Sequence, residues 1–306
     1  MLLVVLVTVA AVAAGVGAER RSGEAAQRLS RRLLDLMLYA LLPFAAFFLI
    51  ADLELTAGVR AGIGVAYAEL AVVGLAAYAI AGRVLELPRP VAGAVITTVV
   101  MANTGYLGLP LSVALLGRDA LGEAVAWDTL VSGPVFLIVG FGVGAVFGDD
   151  AGTGRRERLT AFLARNPPLL ATLAGLLAPD VLAPAVLVDA AGLMVIGLLP
   201  VGFFVLGVNL ATEAEDGALR FEPPFTKPLA LIIGLRLVFA PALVLAASLL
   251  VVELPDPYLL QAAMPSGVNA LVVAHAYGLD LRLTSAAIAW TTTAVIVVAA
   301  AGAALA

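Results

Sequence analysis

The 306-residue sequence contains no cysteine and a single histidine, His275. Without cysteine there is no disulfide, no thiolate metal site and no cysteine nucleophile. One histidine outside any metal-ligand motif leaves little scope for a metal or haem site, so we expect neither a metal nor a cofactor. The sequence offers no nucleophile–base pair either, and we therefore do not expect a membrane-embedded enzyme.

Charged residues are also scarce, at 13% of the sequence, where about 25% is usual for a soluble domain. The hydrophobic share is 62% and the mean hydropathy is +1.09. Apolar stretches of about 18 or more residues recur along the chain, which is typical of transmembrane helices. The composition predicts an all-α polytopic membrane protein without a soluble domain. An excess of Arg over Lys, with abundant Ala, Val and Gly, favours a prokaryotic cell membrane.

Ten spans can be laid out, at 1–17, 33–50, 58–82, 91–116, 122–147, 161–178, 185–211, 228–251, 257–277 and 283–304. The first lacks the positively charged start of a signal peptide, so we predict a short spanning helix there. Fourteen of the 17 basic residues lie in the loops after odd-numbered spans, and two lie after even-numbered spans. Because basic loops stay in the cytoplasm, both termini are predicted to lie outside. Basic residues scattered in this way are topology signals and indicate no nucleic-acid partner.

Span four contains a polar interruption, Asn103-Thr104-Gly105-Tyr106-Leu107-Gly108-Leu109-Pro110. Pro110 removes a backbone donor and clashes with the carbonyl four residues back, close to Tyr106. The two glycines let the backbone leave helical geometry at low steric cost. At membrane depth such a break is tolerated only inside protein or beside a water-filled cavity. Taken alone, the segment fits a ligand site or a simple proline kink.

The two halves of the chain resemble each other. Span nine carries a second interruption, Met264-Pro265-Ser266-Gly267-Val268-Asn269, at the place that matches span four. Residues 124–129 of span five are echoed by 288–292 of span ten, and 41–48 of span two by 199–204 of span seven. Since five spans is an odd number, the second half is inserted upside down. Inverted repeats with matching broken helices favour a transporter whose site lies between the breaks. We place the halves at 1–148 and 149–306, joined by the linker 148–154.

These segments resemble the auxin efflux carrier family in its short prokaryotic form. The resemblance is carried by residues 103–111 of span four, by 261–269 and 274–278 of span nine, and by 41–43 and 166–170. It covers essentially the whole chain and implies ten helices in two inverted repeats, with broken helices four and nine crossing at their prolines. The chain departs from the plant carriers in lacking their long central loop, which leaves auxin itself and loop-based regulation in doubt.

The resemblance also implies two groups of helices with different roles. Spans one, two, six and seven form a scaffold that is expected to pair in a homodimer. Spans three to five and eight to ten form a moving transport unit. The implied function is export or exchange of small organic anions by alternating access of the elevator type. Family substrates are indole-type acids in plants and carboxylates such as malate or malonate in bacteria.

Each break is predicted to bind the substrate. Freed amides and half-helix N-termini place partial positive charge at mid-membrane, which suits a carboxylate. Side-chain amides can donate to a carboxylate or accept from a hydroxyl; alternatively, they only satisfy backbone groups that the prolines release. The predicted substrate-binding residues are Asn103, Thr104, Gly105, Pro110, Gln261, Pro265, Ser266 and Asn269.

Four titratable or charged residues are candidates for coupling transport to H⁺ or Na⁺. Glu69 and Arg236 lie deep in spans three and eight, where one charge alone costs about 2.5–3.5 kcal/mol on insertion scales. They either couple charge to anion movement or form a structural ion pair. Asp128 is near the outer end of span five and His275 near the cytoplasmic end of span nine. Their alternatives are an aqueous vestibule for Asp128 and a packed or wetted surface for His275.

Two other functions remain open at this stage. A sodium-coupled carrier of the bile acid symporter type has a similar crossover, but it needs more acidic and amide ligands at the breaks than are evident. A receptor that binds the same ligand without moving it cannot be told apart by its site. No nucleotide-binding loop is present in the sequence, so ATP-driven transport would require another subunit.

Overall fold

A computed structural model describes residues 2–51, 60–117, 120–149, 157, 160, 167–215 and 225–305. Throughout these ranges the chain is helical between short connections, and its β-structure is one isolated antiparallel bridge, Ala102 to Ser266. Most of the predicted linker between the halves, from residue 150 onward, lies outside the described residues.

The helices follow the apolar stretches of the sequence. The described α-helices are α1 Leu2–Ser22, α2 Glu24–Leu36, α3 Leu42–Ala51, α4 Arg60–Ala79, α5 Arg89–Val100, α6 Leu109–Leu116, α7 Leu121–Trp127, α8 Phe141–Phe147, α9 Pro167–Leu177, α10 Ala185–Glu215, α11 Lys227–Ile233, α12 Ala240–Leu250, α13 Asp256–Ala262, α14 Asn269–Tyr277 and α15 Leu281–Leu305. Wider π-helical turns continue or join several of them, at Met37–Leu41, Ile80–Val84, Thr104–Gly108, Asp128–Ser132, Val135–Gly140 and Gly234–Phe239.

Four helical stretches among the described residues are long and apolar enough to cross a membrane. They are Gly62–Val84, Leu130–Phe147, Lys227–Leu250 and Leu281–Ala299. Shorter apolar helices, such as Arg89–Val100 and Pro200–Asn209, are embedded among them. Helices of this length and composition place the protein in a membrane.

One sequence expectation was wrong. The connection between spans one and two was predicted to be a charged loop over 18–32, but α2 already begins at Glu24. The helix forms because Ala26, Ser30 and Leu34 recur every four residues and bury one face, while the arginines between them stay exposed. The first connection is therefore a turn at Gly23, which has a φ of 39° that suits glycine.

Glycines bring α1 and α10 into close contact. A Cβ on Gly15 would overlap the Phe204 carbonyl oxygen, and a Cβ on Gly207 would overlap the Val12 carbonyl oxygen. Small residues at such positions let helix backbones approach, which is how helices associate when lipid removes the hydrophobic driving force. The first helix is thus packed as an integral part of the bundle.

We expect Gly207→Ala to lower the thermal unfolding temperature of the purified protein. The added methyl group forces α1 away from α10, at a cost of about 1–3 kcal/mol for overpacking. Gly192→Ala on the same helix is the control, because a Cβ there has open space around it. Equal unfolding temperatures for the two variants would show that this helix pair is not closely packed.

Candidate functional site

Span four is broken, as predicted, but earlier than the proline argument placed it. Helix α5 ends at Val100, residues Met101–Asn103 are not helical, and the π-helical turn Thr104–Gly108 then leads into α6. Pro110 is the second residue of α6, so Tyr106, four residues back, lies in the π-helical turn rather than in an α-helix. The i→i+5 bonds of that turn end at Leu109 and do not need the donor that Pro110 lacks.

Span nine is broken at the matching place, between α13 and α14. The two breaks pair as a short antiparallel bridge. The Asn103 amide donates to the Pro265 carbonyl at 2.7 Å, and the Gly267 amide donates to the Met101 carbonyl at 2.6 Å. A Cβ on Gly267 would lie 3.0 Å from the Ala102 carbonyl oxygen, a tight contact, so this approach of the two segments favours glycine. We call this paired region, residues 101–103 and 263–268, the crossover.

A second set of hydrogen bonds joins the crossover to α5 and α15. The Ser266 hydroxyl donates to the Thr98 carbonyl at 2.7 Å, and the Ser266 amide donates to the Thr291 hydroxyl at 3.1 Å. Pro265, Ser266 and Gln261 are buried here and do not line the cavity described below. Gln261 donates to the Ala124 carbonyl at 3.3 Å. Pro265 and Ser266 therefore bond backbone groups at the crossover, whereas Gln261 bonds α7 through its amide nitrogen and its Oε1 has no partner.

Arg236 caps the C-terminal ends of both broken helices. Its guanidinium, 1% exposed, donates from Nη1 to the Val99 carbonyl of α5 at 3.1 Å and from Nη2 to the Ala262 carbonyl of α13. Each helix end carries about half a negative charge, so one guanidinium balances the two. Arg236 does not line the cavity, which separates it from direct contact with a ligand there.

Glu69 is buried near Arg236 but does not form an ion pair with it. Glu69 is 4% exposed, the two charges interact electrostatically, and no nitrogen–oxygen contact within 4.0 Å joins these two described residues. Glu69 Oε1 has no hydrogen-bond partner. Of the two sequence hypotheses for this pair, a direct structural ion pair is the one that the geometry does not support.

The opposite side of the crossover opens into a cavity of about 190 Å³. That volume is roughly ten times what a single water needs, so it can hold a small molecule. The first residues of the Thr104–Gly108 turn and of α14 line it, and their amides are helix N-terminal donors. The broken helices therefore present positive ends to the cavity and negative ends to Arg236.

Two asparagines of the cavity wall carry a buried side-chain atom without a hydrogen-bond partner. Asn103 is 2% exposed, and its Oδ1 accepts the Leu107 amide at 3.2 Å while its Nδ2 has no partner. Asn269 lines the cavity with an unpartnered Oδ1, and rotation of its amide group can present either a donor or an acceptor. Buried polar atoms without partners are costly and point to a bound ligand or water.

Asp128 lies beside the Thr104–Gly108 turn, in the wall of the cavity. Its Oδ1 accepts the Thr104 hydroxyl at 2.5 Å, and a Cβ on Gly105 would lie 3.2 Å from both carboxylate oxygens. Asp128 is the one charged side chain among the described residues of the cavity wall. Its place in segment 124–129, which is echoed in span ten, is the sequence feature that indicates this position.

The cavity also has a wall that the sequence analysis did not identify. Leu42, Ala45 and Ala46 of α3, with Pro168 of α9, line it opposite the crossover. His275 lies elsewhere: its Nε2 is 3.2 Å from Asp35 Oδ1, at the partly exposed contact between α14 and α2. Of the predicted set, the cavity brings together Asn103, Thr104, Gly105, Asn269 and Asp128.

The sequence is similar to a family of membrane transport proteins and to an archaeal transporter. Residues 158–301, which include the second break and Arg236, match the family model described as membrane transport protein. The predicted family resemblance is confirmed. This is the auxin efflux carrier-type membrane transport family. An uncharacterized transporter of Methanocaldococcus jannaschii is 25% identical over 237 residues, which cover 72% of this chain and 70% of the relative.

Similarity to this transport family fits the structure in its main features. The family description and the relative are both those of membrane transporters, and the helices have the length and apolar character of membrane spans. A membrane transporter needs a ligand site among its membrane helices. The cavity at the crossover, with its helix N-termini and free amide groups, is the candidate for that site.

Proposed function

We propose that this protein is a secondary carrier of small organic anions and that it binds them at the crossover. The observation that carries the proposal is the convergence of two helix N-termini with the free Nδ2 of Asn103 on one cavity. Partial positive charge and unpaired donors in a water-poor interior favour a carboxylate. The apolar residues of α3 and α9 on the opposite wall suit the rest of a small organic acid.

The proposed architecture has ten membrane crossings in two inverted halves, 1–148 and 149–306. Supporting it, both breaks fall at matching places, and the Thr104 turn and the Ser266 segment are each bonded by a residue of the following long helix, Asp128 and Thr291. The excess of basic residues after odd-numbered spans supports external termini. We further propose a homodimer through the scaffold helices, following the family resemblance.

The proposed mechanism is alternating access by elevator movement. In it, spans three to five and eight to ten move as one transport unit against the scaffold of spans one, two, six and seven. The bonds from Asn103, Gly267, Ser266 and Arg236 support this, because they tie spans four, eight, nine and ten into one body. The cavity lies between that body and α3 and α9 of the scaffold.

Two measurements test this function. Mono- and dicarboxylates should raise the unfolding temperature of the purified protein in proportion to the logarithm of their concentration, since a ligand that binds only the folded state stabilises it by mass action. The stabilising acids should then exchange in counterflow experiments with labelled substrate in liposomes. Stabilisation without counterflow would indicate a receptor, and stabilisation by neutral or cationic solutes alone would rule out the anion assignment.

A further inference from the structure

We infer that Asp128 takes up a cation, H⁺ or Na⁺, together with the transported anion. The inference rests on the proposed anion function. Asp128 lines the cavity in contact with Thr104 and Gly105, the first two residues of the turn that is proposed to hold the substrate carboxylate. A substrate carboxylate and the Asp128 carboxylate therefore share one small space.

Two carboxylates in this space repel each other unless one is neutralised. Among the described residues of the cavity wall there is no Lys, Arg or His to balance a second negative charge. Arg236, the buried cation of the transport unit, uses both Nη groups on the carbonyls behind the crossover. A proton or a sodium ion on Asp128 removes the repulsion, which makes binding of cation and anion mutually favourable.

The second half of the chain shows that the charge of Asp128 is not needed to hold a break in place. In the echo between spans five and ten, Asp128 corresponds to Thr291. Each bonds the break of its own half, Asp128 through the Thr104 hydroxyl and Thr291 through the Ser266 amide. Since a neutral hydroxyl is sufficient in the second half, the carboxylate of the first half has a role besides packing.

The groups around Asp128 suit a neutralising cation. The Thr104 hydroxyl bonds Asp128 directly, and the same cavity wall holds a second oxygen, the unpartnered Oδ1 of Asn269. Titratable side chains on the elements that contact the Asp128–Ser132 turn include Tyr106, Tyr67, Glu69 and Glu123. The Tyr67 hydroxyl donates to the Leu130 carbonyl. Phenols ordinarily titrate near pH 10, so they stay neutral near pH 7. None of these groups is a cation that could replace H⁺ or Na⁺.

The experiment compares the wild-type protein with Asp128→Asn, using as probe the carboxylate that stabilises the wild type most. Its Kd is measured over a pH series in choline salts, and then over a sodium series at fixed pH. If the cation is H⁺, the wild-type Kd rises about tenfold per pH unit once the carboxyl ionises. If it is Na⁺, Kd falls as sodium is added. Asp128→Asn should bind with a Kd independent of both and no weaker than the best wild-type value.

Asp189→Asn, which removes an exposed carboxylate from α10, is the matched control and should keep the wild-type dependence. The inference is overturned if the wild-type Kd changes with neither pH nor sodium concentration. It is also overturned if the Kd of Asp128→Asn still changes with either of them. Both results leave the carrier function intact. Failure of every carboxylate to bind the wild type defeats the proposed function instead. If Asp128→Asn does not fold, uptake of one proton or one sodium ion per anion by the wild type decides the question.

Discussion

Linking Gly202 to Val268 by a disulfide is expected to abolish transport, with full recovery on reduction. Gly202 is on α10 of the proposed scaffold and Val268 is in the crossover of the proposed transport unit. A Cβ built on Gly202 lies 3.3 Å from Val268 Cβ, close to the roughly 3.5–4.5 Å of a disulfide. Because the natural chain has no cysteine, Gly202→Cys/Val268→Cys introduces the two thiols that can react. Counterflow in oxidised and reduced liposomes measures the effect.

The matched pair is Ala102→Cys/Ser266→Cys, which places a disulfide inside the transport unit. The two residues form a non-hydrogen-bonded antiparallel pair, for which the Cα–Cα distance is about 4.5 Å and within disulfide range. Elevator movement keeps the crossover together, so the oxidised form should transport as well as the reduced form. If oxidation blocks this pair and spares the Gly202–Val268 pair, the crossover opens during transport and the elevator mechanism is wrong.

Asn103→Asp is expected to lower the affinity for the anion by about three orders of magnitude while leaving the fold intact. Aspartate retains an oxygen that can accept the Leu107 amide, and it is as good an N-cap as asparagine. It replaces the free Nδ2 donor with a negative oxygen in the cavity wall. Two like charges about 4 Å apart at an effective dielectric constant of about 20 repel by about 4 kcal/mol, and each 1.4 kcal/mol is about tenfold in affinity.

Asn103→Ser separates the contribution of the donor from that of the added charge. Serine also caps helices but loses the Nδ2 group, so a smaller loss of about ten- to a hundredfold is expected from one charge-assisted hydrogen bond. Affinities come from thermal-shift titrations, and unfolding temperatures without ligand report on the cap. Wild-type affinity in Asn103→Asp would remove this residue from the binding site and would leave its cap role as the explanation for its burial.

The broken helices could be predicted from sequence because their causes are local. Proline, glycine and asparagine at mid-span are incompatible with a continuous helix in lipid, and both interruptions are present. The position of the first break was less predictable. Proline disrupts the bond to the residue four places back only where the preceding turn is α-helical. Here the preceding turn, Thr104–Gly108, is the wider π-helical type, and the break lies before it at Met101–Asn103.

The partners of the charged residues could not be predicted, because they depend on contacts between distant segments. One hypothesis for Arg236 was a structural ion pair with Glu69, but its guanidinium donates to backbone carbonyls of two other helices. Depth along a helix gives no information on the direction in which a side chain points. For the same reason an aqueous vestibule was an alternative for Asp128, and its contact with Thr104 was not predicted.

The crossover also has a consequence for biosynthesis. The Val99 carbonyl is bonded by a residue 137 positions later in the chain, and the Thr98 carbonyl by one 168 positions later. At about 5–20 residues per second, those partners leave the ribosome on the order of ten seconds after span four has been made. Unpaired backbone groups are costly in lipid, so span four needs a protected environment until spans eight and nine arrive. The insertion machinery must therefore retain the first half of this protein until the second half is available.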